Sequence, residues 1–393
     1  MKSFIQFFLL INLFFSCAQS SSENSELNSN ENLKGKDSLE NKVNLNKSFD
    51  LEDFYSDDKT LEEVTNHAFS LLSNHQKVAQ LIMPAIGKHG QTKETIDKLV
   101  KEEKIGGVLM LNGTKEMFTE WINEFNAIND SLNAPIFLYS ADAEPSLVNR
   151  KVRNTNPVAK ANTLKSEKEV CEVAETISKD LNEIGINYNF APVVDMSPNE
   201  TVGWRSFGHQ PDSVIPWSNA FIKKTQEHGV IATAKHFPGH GYVVGDTHEK
   251  LVYIDGEMRE VKNYPDLIAD GLLSIMIAHI AVKNNLAYST DGLPATTSRK
   301  IVTELLKDSL GFKGLIVTDA LNMGGVKSVP KADLLAVQAG CDIILMPLNA
   351  NKAHELILNA YENDELTRKE VDESARKILR MKICLGWNPY NKN

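Results

Sequence analysis

Ala234-Lys235-His236-Phe237-Pro238-Gly239-His240-Gly241 follows the apolar run Val230-Ile231-Ala232-Thr233 and leads on to Asp246-Thr247-His248. A short apolar run bounded by turn residues reads as a buried strand. It ends at Phe-Pro-Gly, because proline has no amide to donate and glycine accepts positive φ. Lys235 and His236 therefore fall at the C-terminal end of a strand. His240, Asp246 and His248 follow on a glycine-rich loop. A structural turn with satisfied histidines would explain any one of these residues. Three histidines, a lysine and an aspartate gathered between 235 and 248 point instead to a site of chemistry.

Outward from this stretch, strand-length apolar runs recur at 80–85, 107–111, 135–139, 188–194, 275–279, 315–319 and 342–346. Amphipathic segments lie between them, among them Ser166 to Ile184, Val214 to His228 and Ser298 to Leu310. With the run before Lys235, the strands and helices alternate as in an α/β protein of the (β/α)8 TIM-like barrel class. A single catalytic domain is expected over 59–393. In the first run, Lys77 to Met83 fits a helix equally well. A doubly wound open sheet is the alternative fold, disfavoured because no glycine-rich dinucleotide loop follows an early strand. Several runs end in polar residues: Asp142, Asp195, Lys235-His236, His279 and Asp319. Parallel strands would bring these ends to one rim, the face that carries the chemistry in such barrels.

A formal net charge of -10 argues against a nucleic-acid partner, and 42% hydrophobic residues suffice for a large core. Met1-Lys2 followed by the apolar run Phe4 to Phe15 reads as an export signal too short to span a bilayer. Ser16-Cys17 at its end resembles the lipobox of bacterial lipoproteins, which implies lipidation of Cys17 and a signal peptide over 1–17. An ordinary cleaved signal peptide is the alternative. Ser, Asn, Glu, Lys and Asp dominate 18–58, which is expected to be a flexible polar tether. The protein is thus expected to be an exported, membrane-anchored lipoprotein of the cell envelope. Cys171, Cys341 and Cys384 are odd in number and read as free thiols.

Lys235 to Gly241 with Asp246-Thr247-His248 resembles the K-H-F-P-G-H-G…D-[ST]-H signature of glycoside hydrolase family 3, in its β-N-acetylhexosaminidase branch. Ile316 to Met323 is similar to that family's nucleophile strand, Trp204 to Gly208 to its R-[SA]-F motif, and Met276 to Ile280 to its M-x-A-H-I strand. Gly106 to Leu109 and Asn189 to Asp195 are similar to its second and fourth strands. The resemblance covers about Asn74 to Trp387. It implies a retaining β-N-acetylglucosaminidase acting on terminal N-acetylglucosamine, commonly from peptidoglycan fragments, without a metal or cofactor. By the same resemblance Asp319 is the nucleophile and His248, in a dyad with Asp246, the general acid/base. Asp142, Arg150, Arg205, Lys235 and His236 are implied as sugar contacts. For Arg150 and Arg205 a surface cation or structural ion pair is the competing reading. A retaining mechanism needs a carboxylate on one face of the anomeric carbon and a proton donor on the other. Imidazole can donate and then accept near neutral pH.

The chain departs from the family in the loop after its third strand, usually D-x-E-G-G-R-V-x-R. Here it is Asp142-Ala143-Glu144-Pro145-Ser146-Leu147-Val148-Asn149-Arg150. The outer positions survive, the glycines and first arginine do not, and a changed sugar pocket is expected. The usual Leu-Pro after His248 is also missing. Other functions remain open on sequence grounds: a catalytically weakened glycan-binding lipoprotein, or a family 3 β-glycosidase or phosphorylase of different sugar specificity. A metal-dependent hydrolase using His236, His240 and Asp246 would need a His-x-His or His-Glu-x-x-His pattern, and neither occurs.

Overall fold

The structure, a computed structural model, describes residues 47–196 and 202–390. The signal peptide, Cys17 and the tether up to residue 46 lie outside the described residues.

Seven strands form one parallel sheet: β2 (Ala85–Gly87), β3 (Gly107–Leu111), β4 (Leu138–Ala141), β5 (Tyr188–Asn189), β6 (Ile231–Phe237), β7 (Ser274–Ile277) and β8 (Leu315–Thr318). They pair in strict chain order from β2 to β8. That order excludes a doubly wound sheet, in which it would reverse. Nearly every residue in these strands is buried, so they read as continuous apolar runs, as parallel strands covered on both faces do.

A separate parallel pair joins β1 (Ile82–Met83) to β9 (Ile344–Leu345). The sheet is therefore a curled open one, and the continuous eight-stranded closed barrel expected from the sequence is not seen as one ladder. The interruption has local causes. Pro84 has no N–H and splits the first run into two short strands. At the other seam, side-chain oxygens take ladder amides: Ile316 N–H donates to Asp342 Oδ2 at 2.7 Å and Leu345 N–H to Thr318 Oγ1 at 3.0 Å. Thr318 N–H still reaches Ile343 O at 3.0 Å, and Leu109 N–H reaches Pro84 O at 2.9 Å.

The expected runs hold with shifted ends. The third strand starts at Leu138 instead of Pro135, and Lys77 to Gln80 belong to the helix Asn74–Gln80. The fourth run forms a strand only at Tyr188–Asn189, with isolated bridges from Val193, beyond Pro192, to Ser206 and Lys235. Helices cover the sheet. Glu167–Ile184 opens on Ser166, whose Oγ accepts the Glu169 N–H, and closes on Gly185 in the left-handed conformation. Pro211 opens the helix that ends at Glu227, where a missing N–H costs nothing. Lys300–Ser309 winds as a π-helix.

The packed chain starts inside the stretch expected to be tether. Phe49, Leu51 and Phe54 are buried. Tyr55 Oη donates to Leu272 O at 2.6 Å, and Arg380 Nε to Phe54 O at 2.7 Å. The polar composition around these few apolar residues hid them. Cys341 and Cys384 are buried free thiols, and Cys171 is half-buried. Among the described residues, no helix is long and apolar enough to cross a membrane.

Candidate active site

One consequence of a parallel sheet is that every strand delivers its C-terminal residue to the same edge. Asp142 follows β4, Lys235 and His236 close β6, and Asp319 follows β8. All four line one cavity with Arg150, Arg205, His240 and His248. Every residue expected to touch the sugar is among them.

The floor is an ion cluster. Lys235, 1% exposed, donates to Asp142 Oδ1 at 3.0 Å and lies 2.6 Å from Glu144 Oε1. Arg205 grips Glu144 with two parallel bonds, Nε to Oε2 at 2.8 Å and Nη2 to Oε1 at 2.6 Å. Such fork-on-carboxylate pairs combine strength with fixed geometry. Lys151 adds a cation 3.6 Å from Asp142 Oδ2. Burial opposes charge on both acids, but the cations outweigh it: Glu144 is drawn down to about 2, and Asp142, facing Lys235 and Lys151, falls well below the usual carboxylate range. Lys235 is held charged in return, since the two carboxylates outweigh its burial. Arg205 thus forms the structural ion pair that competed with a sugar contact, and it also lines the cavity. Arg150 lies exposed at the rim.

A second group fixes the imidazoles. His236 Nδ1 is 2.7 Å from Asp195 Oδ2, and the other oxygen of Asp195 accepts the His240 N–H at 2.7 Å. His236 can thus present only Nε2 to the cavity. His240 Nε2 is 3.1 Å from Thr247 Oγ1. His248 Nδ1 lies 2.7 Å from Asp246 Oδ1, which also accepts the His248 N–H at 2.9 Å. Burial would raise the Asp246 carboxyl, but these His248 contacts bring it below its ordinary value. The His248 side chain is 64% exposed. His236, His240 and Asp246 each turn to a different partner, which does not fit the three-ligand metal arrangement considered from sequence.

Asp319 is half-buried, and its Oδ1 accepts the Ala320 N–H at 2.8 Å. Burial works against its ionisation. The nearby His279 and His236 rings and the Ala320 amide overcome it and keep the carboxyl below its ordinary value. His279 is buried, with Nδ1 2.9 Å from Thr296 Oγ1 and Nε2 2.9 Å from Ala320 O. Its desolvation favours the neutral ring. It holds the strand end from which Asp319 projects.

Sequence reasoning missed four contributors. Glu144 appeared only as a loop residue next to a proline, yet it is 0% exposed and anchors both Lys235 and Arg205. Its signal was an acid within the small and apolar stretch 143–148. Asp195 appeared only as a polar strand end. Lys151 carried no motif. Glu260 lies under the histidine loop, where it accepts the Gly241 N–H at 2.8 Å and the Met196 N–H. No sequence signal marks it, since it falls in an ordinary charged segment.

Comparison with known proteins follows the same lines. The family model described as Glycosyl hydrolase family 3 N terminal domain matches residues 73–381. The chain is 29% identical over 331 residues to beta-hexosaminidase A of Pseudoalteromonas piscicida, covering 74% of this chain and 55% of that relative. It therefore spans little more than half of that protein. It is also 29% identical over 290 residues to a beta-hexosaminidase of Methylobacillus flagellatus, covering 68% of this chain and 80% of the relative. Among solved structures it is similar to a glycoside hydrolase family 3 beta-N-acetylglucosaminidase from Paenibacillus sp., with 28% identity and a TM-score of 0.73. That match covers 80% of this chain and 64% of the other.

Proposed function

Because the chain belongs to glycosyl hydrolase family 3, we propose that it is a retaining β-N-acetylglucosaminidase with Asp319 as nucleophile and His248 as general acid/base. The observation that carries this reading is one cavity lined by an ionised strand-end carboxylate and by an imidazole whose Nδ1 is held by Asp246. In the first step the Asp319 carboxylate attacks the anomeric carbon while His248 Nε2–H protonates the departing glycosidic oxygen. In the second step His248 Nε2 takes a proton from water, which attacks the glycosyl-enzyme and frees Asp319. Asp246 orients the ring through its bond to Nδ1. Asp142, Arg150, Arg205, Lys235 and His236 bind the sugar. The names of the beta-hexosaminidase relatives support N-acetylglucosamine as the glycone. A panel of chromogenic β-glycosides tests this: the N-acetylglucosaminide should be turned over fastest, and a preference for glucosides would refute the sugar assignment.

Peptidoglycan fragments are the proposed source of the sugar, and a lipid anchor on Cys17 at the cell envelope the proposed location. We read the open sheet as part of a closed (β/α)8 barrel, supported by the amide bonds from Thr318 to Ile343 and from Leu109 to Pro84. Amide exchange at Leu109 and Thr318 should then be as slow as in the interior strands, and fast exchange there would oppose closure.

A further inference from the structure

We propose that Gly324 and Gly325 are positioning residues, whose main chain brackets the loop of His248 against the turn that carries Asp319. The proposal rests on His248 being the acid/base.

The turn itself is firmly set. Asp319 N–H extends the ladder to Ile277 O at 2.9 Å, Leu321 N–H reaches Leu345 O at 3.0 Å, and Met323 N–H closes on Ala320 O at 3.0 Å. Ala320 O also lies 2.9 Å from the Nε2 of buried His279. The next two amides leave the turn and cross to the other loop. Gly324 N–H donates to His248 O at 3.0 Å, and Gly325 N–H to Thr247 O at 2.9 Å. The segment bearing the nucleophile thus grips the backbone of the acid/base residue itself.

The His248 loop needs such a grip. Its side chain is 64% exposed, and its Asp246 partner sits on the same loop and moves with it. The bonds from Glu249 N–H and Lys250 N–H to Asp246 O are likewise internal to the loop. A fixed spacing between Asp319 and His248 requires contacts from outside, and the bracket supplies two of them from the nucleophile's own turn.

Close approach, not φ, is why glycine stands at both positions, since neither has a positive φ. A Cβ on Gly324 would lie 2.1 Å from Glu249 O and 2.7 Å from His248 O. On Gly325 it would lie 2.9 Å from His279 Cβ and 3.3 Å from Thr247 O. Relieving the first clash moves the loop by about 1 Å, a misplacement that can cost on the order of 100-fold in rate.

The test is a leaving-group series of aryl N-acetylglucosaminides on the wild type, Gly324→Ala, His248→Ala and the double variant. Gly324→Ala should lose roughly 10- to 100-fold in kcat/KM on the poorest leaving group and only a few-fold on the best, because kcat/KM reads the step in which His248 donates its proton. In the His248→Ala background it should add less than about twofold, because both changes remove the same proton transfer. A uniform loss across the series, or losses that multiply in the double variant, would overturn the bracket. If His248→Ala itself shows no leaving-group dependence, the acid/base assignment falls first and the proposal with it. Should Gly324→Ala fail to fold, Gly325→Ala, whose contacts are looser, is read by the same criteria.

Discussion

Glu144→Gln probes the ion cluster at the floor of the cavity. Glu144 is 0% exposed and is held by Arg205 at 2.6 and 2.8 Å and by Lys235 at 2.6 Å. Its fall from 4.5 to about 2 means the folded state binds the ionised form more strongly, by ~3 kcal/mol. Removing one partner of a buried ion pair costs about 3–5 kcal/mol by a separate route, since the other charge is left uncompensated. The two figures agree. The pH dependence has a definite sign. The folded value lies below the unfolded one, so the contribution is complete above about 4.5 and is lost as pH falls through about 2. Urea unfolding of both proteins at pH 7, and at lower pH down to the edge of acid unfolding, reads the difference. The variant should be less stable by ~3 kcal/mol at pH 7, and the gap should narrow as pH drops below about 4.5. A gap under ~1 kcal/mol at pH 7, or one that does not change with pH, would refute the reasoning.

Asp319→Ala should unfold like the wild type but lose several orders of magnitude in kcat. A 2-fluoro sugar that traps the intermediate should label a peptide spanning Gly314 to Met323, and a label elsewhere would reassign the nucleophile. Asp246→Asn should lower kcat/KM most on substrates with poor leaving groups, because the ring loses the carboxylate 2.7 Å away that orients it; an equal loss for every leaving group would show that the pair is only structural. Lys382 is buried with Gln80 Oε1 and Gly106 O as its oxygen partners, and its ammonium is pushed from 10.5 to about 7. Its folded value lies below the unfolded one, so stability is lost as pH falls toward 7. Lys382→Met should be the more stable at pH 7, with the gap shrinking toward pH 9 by at most about 1.4 kcal/mol per pH unit, and a constant gap would sink the argument. Cys17→Ser should release the protein from membrane fractions, and continued binding would put the anchor elsewhere.

The alternation of strand and helix was legible because fully buried parallel strands must be apolar throughout. Gly107–Leu111 matches the expected run residue for residue. The seams were not legible. Asp342 looked like the polar start of a strand, but its carboxylate takes the Ile316 amide and the Lys377 ammonium, at 2.7 and 2.8 Å, in place of regular pairing. Pro84 inside an apolar run was visible in the sequence, and its consequence for the ladder follows from the missing N–H. Phe49, Leu51 and Phe54 were lost in a polar background, because composition averages over a window while packing depends on single side chains.

The site divides in the same way. Lys235, His236, Asp246 and His248 were found because one strand and one loop carry them, so their relation is a spacing in sequence. Glu144, Asp195 and Gly324 act across the fold, and no spacing encodes that. The altered loop after β4 shows what such contacts can absorb. The family's two glycines are replaced by Pro145 and Ser146. Ser146 Oγ donates to Trp204 O at 2.9 Å and accepts the Ala161 N–H at 3.0 Å. Trp204 lines the cavity and precedes Arg205, the residue that grips Glu144. The replacement therefore braces the loop against the segment that completes the ion cluster. A loop that had merely decayed would have lost the buried acid first, because an unpaired Glu144 costs far more than a changed turn. Glu144 is retained with both cations in place, so the departure from the family pattern leaves the buried ion cluster intact.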